Sequence, residues 1–173
     1  MNRNEETNET QGNILCKSCG LCCTGHLFVW TKLRSVELDA AESLGLNVFR
    51  SVPRQRGFNQ PCPLWQGQCT IYSSPHYPHS CRTYKCKLLK RILDETTSLA
   101  EALVEIEGAK MSFSDLEALL PVSRYTNFRE RLVAYLDDLE QKSAWDDKDL
   151  EIRLKADALL TLYEQVFGVN GLV

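Results

Sequence analysis

No uninterrupted apolar stretch of about eighteen residues occurs in this chain, so no helix of bilayer length is expected. Charge of one sign is also lacking. Twenty Lys and Arg stand against 23 Asp and Glu, a net −3, which excludes the all-over basic field of a generic nucleic-acid coat. No Ser-His-Asp set, phosphate-cradling glycine loop or dinucleotide fingerprint is visible. The opening thirteen residues, MNRNEETNETQGN, have neither the basic start nor the apolar stretch of about 7–15 residues that a secretory signal needs. That directs expectation to the cytoplasm, where thiols stay reduced. The last 87 residues contain no cysteine at all.

All eight cysteines lie between Cys16 and Cys86. Eight in 71 residues is about 11%, the density of a disulfide scaffold, so composition admits either a disulfide framework or a metal site. A reducing compartment favours metal, and so does spacing. Cys16, Cys19, Cys22 and Cys23 crowd into eight residues, where a bridge across such short loops would be strained. The second group is Cys62, Cys69, Cys81 and Cys86.

Two thiolates separated by two residues can turn toward one ion, and Gly20 directly after Cys19 suits a tight knuckle. The adjacent Cys22 and Cys23 are poorly placed to share an ion. Either they feed two sites, or one is a spare or reactive thiol. Eight thiols make two four-cysteine zinc sites, or one cubane iron–sulfur cluster with four left over. Soft thiolates suit zinc and iron–sulfur clusters alike. The Cys-x2-Cys-x2-Cys run and the Cys62-Pro63 pair match ferredoxin-type ligation, but His26 stands where the nearby ferredoxin cysteine would be. The knuckle and the even count favour zinc.

The fold class expected is mainly α. A small, irregular, loop-rich cysteine region with one or two short strands precedes a helical region. Residues 1–13 read as a disordered tail, 14–93 as the metal-binding region, and 94–173 as an acidic helical region packing on it within a single domain. His26–Trp30 reads as a strand, and Thr70–Tyr72 as a second. Val36–Leu44 reads as a helix closed by Gly45. Prolines and glycines over 46–80 otherwise predict loops. Leu89, Ile92 and Leu93 start a helix. Ser98 with Glu101 caps another that stops near Gly108, and Ser112 with Asp115 opens a separate one ended by Pro121. Asn127 opens a further helix, and the last runs from about Asp147 to Phe167 with Gly168 beyond it.

Charge divides with structure, net +6 over residues 1–93 and −9 over 94–173. Arg82, Lys85, Lys87, Lys90 and Arg91 follow the last two cysteines. They read as compensation for a negative thiolate site, with a solvated helix face and a phosphate-binding patch as the competing readings. His26, His76 and His79 could replace a cysteine as ligand, but as lone histidines in loops they read as solvated. Tyr72, Tyr84, Trp30 and Trp65 read as packing, and Glu37, Asp39 and Glu42 as a solvated face. Loop-rich residues 46–80 have few apolar anchors, which predicts that the N-terminal half folds only when loaded with metal.

At these residues the chain resembles the YkgJ-type CxxCxxCC cysteine-cluster family of zinc- or iron-chelating proteins. Cys16, Cys19, Gly20, Cys22 and Cys23 match its first motif. Cys62-Pro63, Cys69, Ile71, Tyr72, Pro78, Cys81, Arg82 and Cys86 resemble its second. Tyr77 stands where the family carries Arg before Pro, and Ser73–His76 is lengthened. The resemblance implies a zinc, iron or iron–sulfur site on the eight cysteines. By analogy with flagellin lysine methylases it allows an iron–sulfur-dependent group-transfer, methyltransferase-like enzyme. The other alternative is a zinc-dependent module that binds nucleic acid or protein. A metal ion is the one partner implied, and no membrane is.

Overall fold

A computed structural model describes residues 9–52 and 55–171. The expected tail therefore lies outside the described residues as far as position 8. Its last three residues are corrected: they open helix α1 (Gln11–Cys19). Thr10 caps α1 by accepting from the Asn13 amide, and Gly20, at φ +70°, ends it. The polar opening Gln-Gly-Asn hides this helix from periodicity arguments, because its buried side consists of little besides Gly12 and Leu15.

The chain is mainly α with a few short strands. Strand β1 (Trp30–Lys32) is followed by a 3₁₀ turn, Ser35–Glu37, and helix α2 (Leu38–Ser43). Strands β2 (Val48–Val52) and β3 (Gln55–Asn59) complete one antiparallel sheet of order β1-β3-β2. Helices α3 (His79–Thr83), α4 (Lys87–Leu93), α5 (Leu99–Leu119), α6 (Phe128–Glu140) and α7 (Asp147–Leu162) follow, and a π-helical turn, Tyr163–Phe167, ends at Gly168.

Three expectations are corrected. The first strand begins only at Trp30. The carbonyls of His26, Leu27 and Phe28 are taken by Tyr163, Arg129 and Asn127 of the helical half, leaving no ladder for a strand there. Thr70–Tyr72 is a turn, whereas β2 and β3 form within the stretch read as loops. The third concerns α5, one continuous helix of 21 residues that passes through Gly108. Ser112, read as a cap, instead donates its hydroxyl to the Gly108 carbonyl at 3.1 Å.

Two apolar clusters result. The larger joins Leu15, Leu21, Leu27, Leu88, Leu89 and Ile92 to Ile106, Phe113, Phe128, Ile152, Tyr163 and Phe167. The smaller holds Leu33, Ala41, Leu46 and Phe58 under the sheet. Polar ties reinforce the first. Buried Arg129 donates Nη1 to the Leu27 carbonyl at 2.9 Å and stacks over the Tyr163 ring at 4.8 Å. Among the described residues no helix is long and apolar enough to cross a membrane.

Candidate metal centre

Cys16 and Cys19 are three residues apart on α1 and so share one face. Gly20 then reverses the chain, and the Thr24 amide bonds back to its carbonyl at 2.9 Å, placing Cys22 and Cys23 in a tight turn. Two constraints hold the knuckle. Its φ of +70° is costly for any residue with a Cβ, and a Cβ at Gly20 would lie 2.1 Å from the Trp65 ring. Trp65 belongs to the second cysteine group, so the two motifs interlock at this contact.

The second group closes over the first through backbone bonds. The Cys62 amide donates to the Cys23 carbonyl at 2.7 Å, and the Trp65 amide donates to Cys62 at 3.1 Å. Trp65 and Cys69 pair as an isolated antiparallel bridge. Cys81 lies on α3, and its carbonyl accepts from the Tyr77 hydroxyl at 3.3 Å. Cys86 caps α4, with Sγ accepting from the Leu89 amide at 3.4 Å.

All eight cysteines are free and partly buried. Seven of them, all but Cys62, line one cavity of about 230 Å³. Burial is the main influence on every thiol. It pushes Cys16 up to about 11, and Cys19 and Cys81 up to about 12, and raises the rest. The thiols are therefore neutral at neutral pH, and an ion binding there would have to displace their protons. After burial, Cys22 responds to Cys19, Cys23, Cys86 and Cys16, whereas Cys23 responds to Cys62, Cys81 and Cys69 ahead of Cys19. The donors are soft, numerous and mutually close, which fits zinc or thiolate-bound iron. Among the described residues no three Cys, His, Asp or Glu side chains stand in a coordinating arrangement.

Other residues singled out from sequence separate here. His26 is not solvated. Its ring packs 4.7 Å from Phe113 and 5.1 Å from Phe128, Nδ1 meets the Thr24 hydroxyl at 2.7 Å, and Nε2 faces Glu117 at 3.5 Å. His76 and His79 are exposed. Glu37 is not a solvated acid either. Its carboxylate accepts from the His79 amide at 2.8 Å and from the Arg34 amide at 2.7 Å, tying the 3₁₀ turn to α3. Asp39 and Glu42 share Arg50. Tyr72 packs as expected, donating to Asn13 Oδ1 at 2.9 Å, and Tyr84 meets Phe28 edge-on.

The cation cluster also divides. Arg91 pairs with Glu105 at 2.9 Å, and Arg82 stacks on Tyr77. The cations that lower thiol pKa values are Lys90 at Cys86, Lys17 at Cys69 and Lys110 at Cys19. Nothing in the sequence points to Lys110, 91 residues beyond Cys19. It is placed by α5 packing on α1, where its ammonium donates to the Ser18 carbonyl at 2.9 Å.

Residues 15–104, just over half the chain, match the CxxCxxCC family, described as a "Putative zinc- or iron-chelating domain". The chain belongs to the CxxCxxCC family. The matched span contains all eight cysteines and continues past Cys86 through α4 into α5. Comparison with curated proteins and with solved structures finds no match. For this CxxCxxCC member the family supports metal chelation without distinguishing zinc from iron.

Proposed function

We propose that the chain binds zinc or iron through Cys16, Cys19, Cys22, Cys23, Cys62, Cys69, Cys81 and Cys86, in a reducing, cytoplasmic setting. The observation that carries this reading is the single cavity lined by thiols from α1, its following turn, the loop before α3, α3 itself and the start of α4. Those segments are distant in sequence, and the loop that carries Cys62 and Cys69 adds only Cys62 and Leu64 to the edge of the small core. Residues 14–93 supply the ligands, and 94–173 pack behind them as part of the same unit. When bound, the ion would supply the cross-link that the loops lack, at about 10–16 kcal/mol for structural zinc in small peptides. Anaerobic purification with zinc, iron and sulfide analysis and an absorption spectrum tests this. Colourless protein without stoichiometric metal would remove it.

A second reading is an iron–sulfur-dependent group-transfer enzyme, and one observation favours it. The cavity continues past the thiols to Trp30, Lys32 and Gln60, and the buried Gln60 side-chain oxygen has no hydrogen-bond partner among the described residues. A donor on a bound substrate would complete it. This reading requires brown protein and a cysteine whose loss abolishes transfer while the cluster is retained. If every cysteine substitution simply unfolds the chain, the structural role stands.

A further inference from the structure

We propose that the eight cysteines form two separate four-thiol metal sites, Cys16, Cys19, Cys22 and Cys86 in one and Cys23, Cys62, Cys69 and Cys81 in the other, with the Cys22–Cys23 peptide bond as the boundary. The proposal rests on the metal-binding reading above and adds stoichiometry and pairing to it.

The packing divides the cysteines in this way. Cys16, Cys19, Cys22 and Cys86 pack against the large helical core, whereas Cys62 and Cys81 pack against the small core under the sheet. The backbone assigns the remaining two. Cys23 is bonded through its carbonyl to the Cys62 amide at 2.7 Å, and Cys69 pairs with Trp65, which is bonded in turn to Cys62. Helices α1 and α4 lie against each other, which brings Cys86 at the start of α4 to the Cys16–Cys19 face of α1. The turn holding Cys22 and Cys23 has one helical-type bond, from the Thr24 amide to the Gly20 carbonyl. Neighbouring side chains in such a turn point about 100° apart. One can therefore face the helical core while the other faces the loops.

Chemistry agrees with the count. Tetrahedral zinc takes four thiolates and a cubane iron–sulfur cluster takes four cysteines, so a four-plus-four division leaves none over. It also gives the adjacent pair a purpose: one peptide bond fixes the two centres relative to each other.

The two centres differ in surroundings. The first is backed by Leu15, Leu88 and Ile106, while the second stands beside Tyr77, whose hydroxyl donates to the Cys81 carbonyl. They should fill in sequence rather than as one pool.

The test uses the full chain, stripped and then titrated anaerobically with cobalt(II). Samples are alkylated during the titration and read by intact mass, with tandem mass spectrometry to separate Cys22 from Cys23. The expected result is an end point of two cobalt ions per chain and species with eight, four and no adducts. The four-adduct species should carry them on one of the two named sets. Paired variants give a second reading: Cys16→Ser with Cys86→Ser, and Cys62→Ser with Cys81→Ser, should each halve the bound cobalt. One ion per chain, or four-adduct species that mix the sets, would overturn the division while leaving metal binding intact. A chain that binds no cobalt and carries no metal as isolated would overturn both.

Discussion

Gly20 answers to two demands at once, a left-handed backbone and room for the Trp65 ring. The left-handed conformation costs an L-residue about 1–2 kcal/mol. Gly45 offers the comparison, since its φ is +87° and nothing lies within 4 Å of its would-be Cβ. Gly45→Ala should therefore lose only the backbone cost. Gly20→Ala should lose about 2 kcal/mol more, because Trp65 must move, and should bind less metal. Urea unfolding of the two variants, with metal content measured alongside, checks this. Equal losses would show that the Trp65 contact contributes nothing. The CxxCG spacing makes Gly20 legible in sequence, but its contact with a tryptophan 45 residues away is not.

Asp149 is the second residue whose role depends on the folded chain. It is buried, and both its oxygens accept from the Lys142 ammonium at 2.7 Å, with the Tyr135 hydroxyl at 2.5 Å. The Lys142 bond, then that of Tyr135, holds its carboxyl at about 2, below the ordinary 3.8. A folded value below the unfolded one means stabilisation that is complete above about pH 4 and is lost as pH falls through about 2. Asp149→Asn should lower the melting temperature at neutral pH and flatten the acid-side decline. Melting curves that stay parallel down to about pH 2 would contradict the assignment.

Among the elements, α5 separates local signals from what packing decides. Its start is legible: Ser98 and Glu101 form a capping box, with the Ser98 amide donating to Glu101 at 2.8 Å and its hydroxyl accepting from the Glu101 amide at 3.2 Å. Its continuation is not. Gly108 and Ser112 both read as boundaries, yet Ile106, Ala109, Phe113 and Leu116 are buried against the rest of the core, and that burial carries the helix through. A Cβ at Gly108 meets nothing within 4 Å. Gly108→Ala should stabilise the protein by about 0.5–1 kcal/mol, read as a higher urea midpoint at unchanged slope. A loss of stability would mean that the helix needs the glycine.

The sheet shows the same limit from the other side. β3 has Gly57 at its centre and reads as loop, but a Cβ there would lie 2.1 Å from the Thr31 carbonyl. Glycine permits the close approach of β1, where Gly57 pairs with Lys32, 25 residues back in the sequence. The helical caps at Asn127 and Gly168, by contrast, are local and fall where sequence places them.

For the whole molecule, the cysteine loops and the helical half differ in what holds them. The loops of 60–78 contribute only Cys62 and Leu64 to the edge of the small core, while α5, α6 and α7 share the large one. With metal bound as proposed, stripping it with a chelator should therefore expose 60–86 to protease and lower the melting temperature, while most of the helical circular dichroism persists. This softens the sequence expectation that the N-terminal half folds only when loaded, because α1 and α4 are anchored in the large core. Unchanged proteolysis after stripping would show that metal does not hold the loops. Arg129→Met tests the link between the halves. Losing its charged bonds to the Leu27 and Gly171 carbonyls should cost about 2–3 kcal/mol and loosen the turn that carries Cys22 and Cys23. Denaturant unfolding and metal affinity report the two effects.

Sequence alone was enough for the mainly α class, for the family and for the eight soft donors with their spacing. These depend on residue identity and on neighbours a few positions away. Only the tertiary structure decided which thiols face which core, that His26 is packed rather than solvated, and that Lys110 rather than Arg91 acts on the cysteines. Those outcomes depend on contacts across tens of residues, where the burial of α5 against α1 outweighs any local preference.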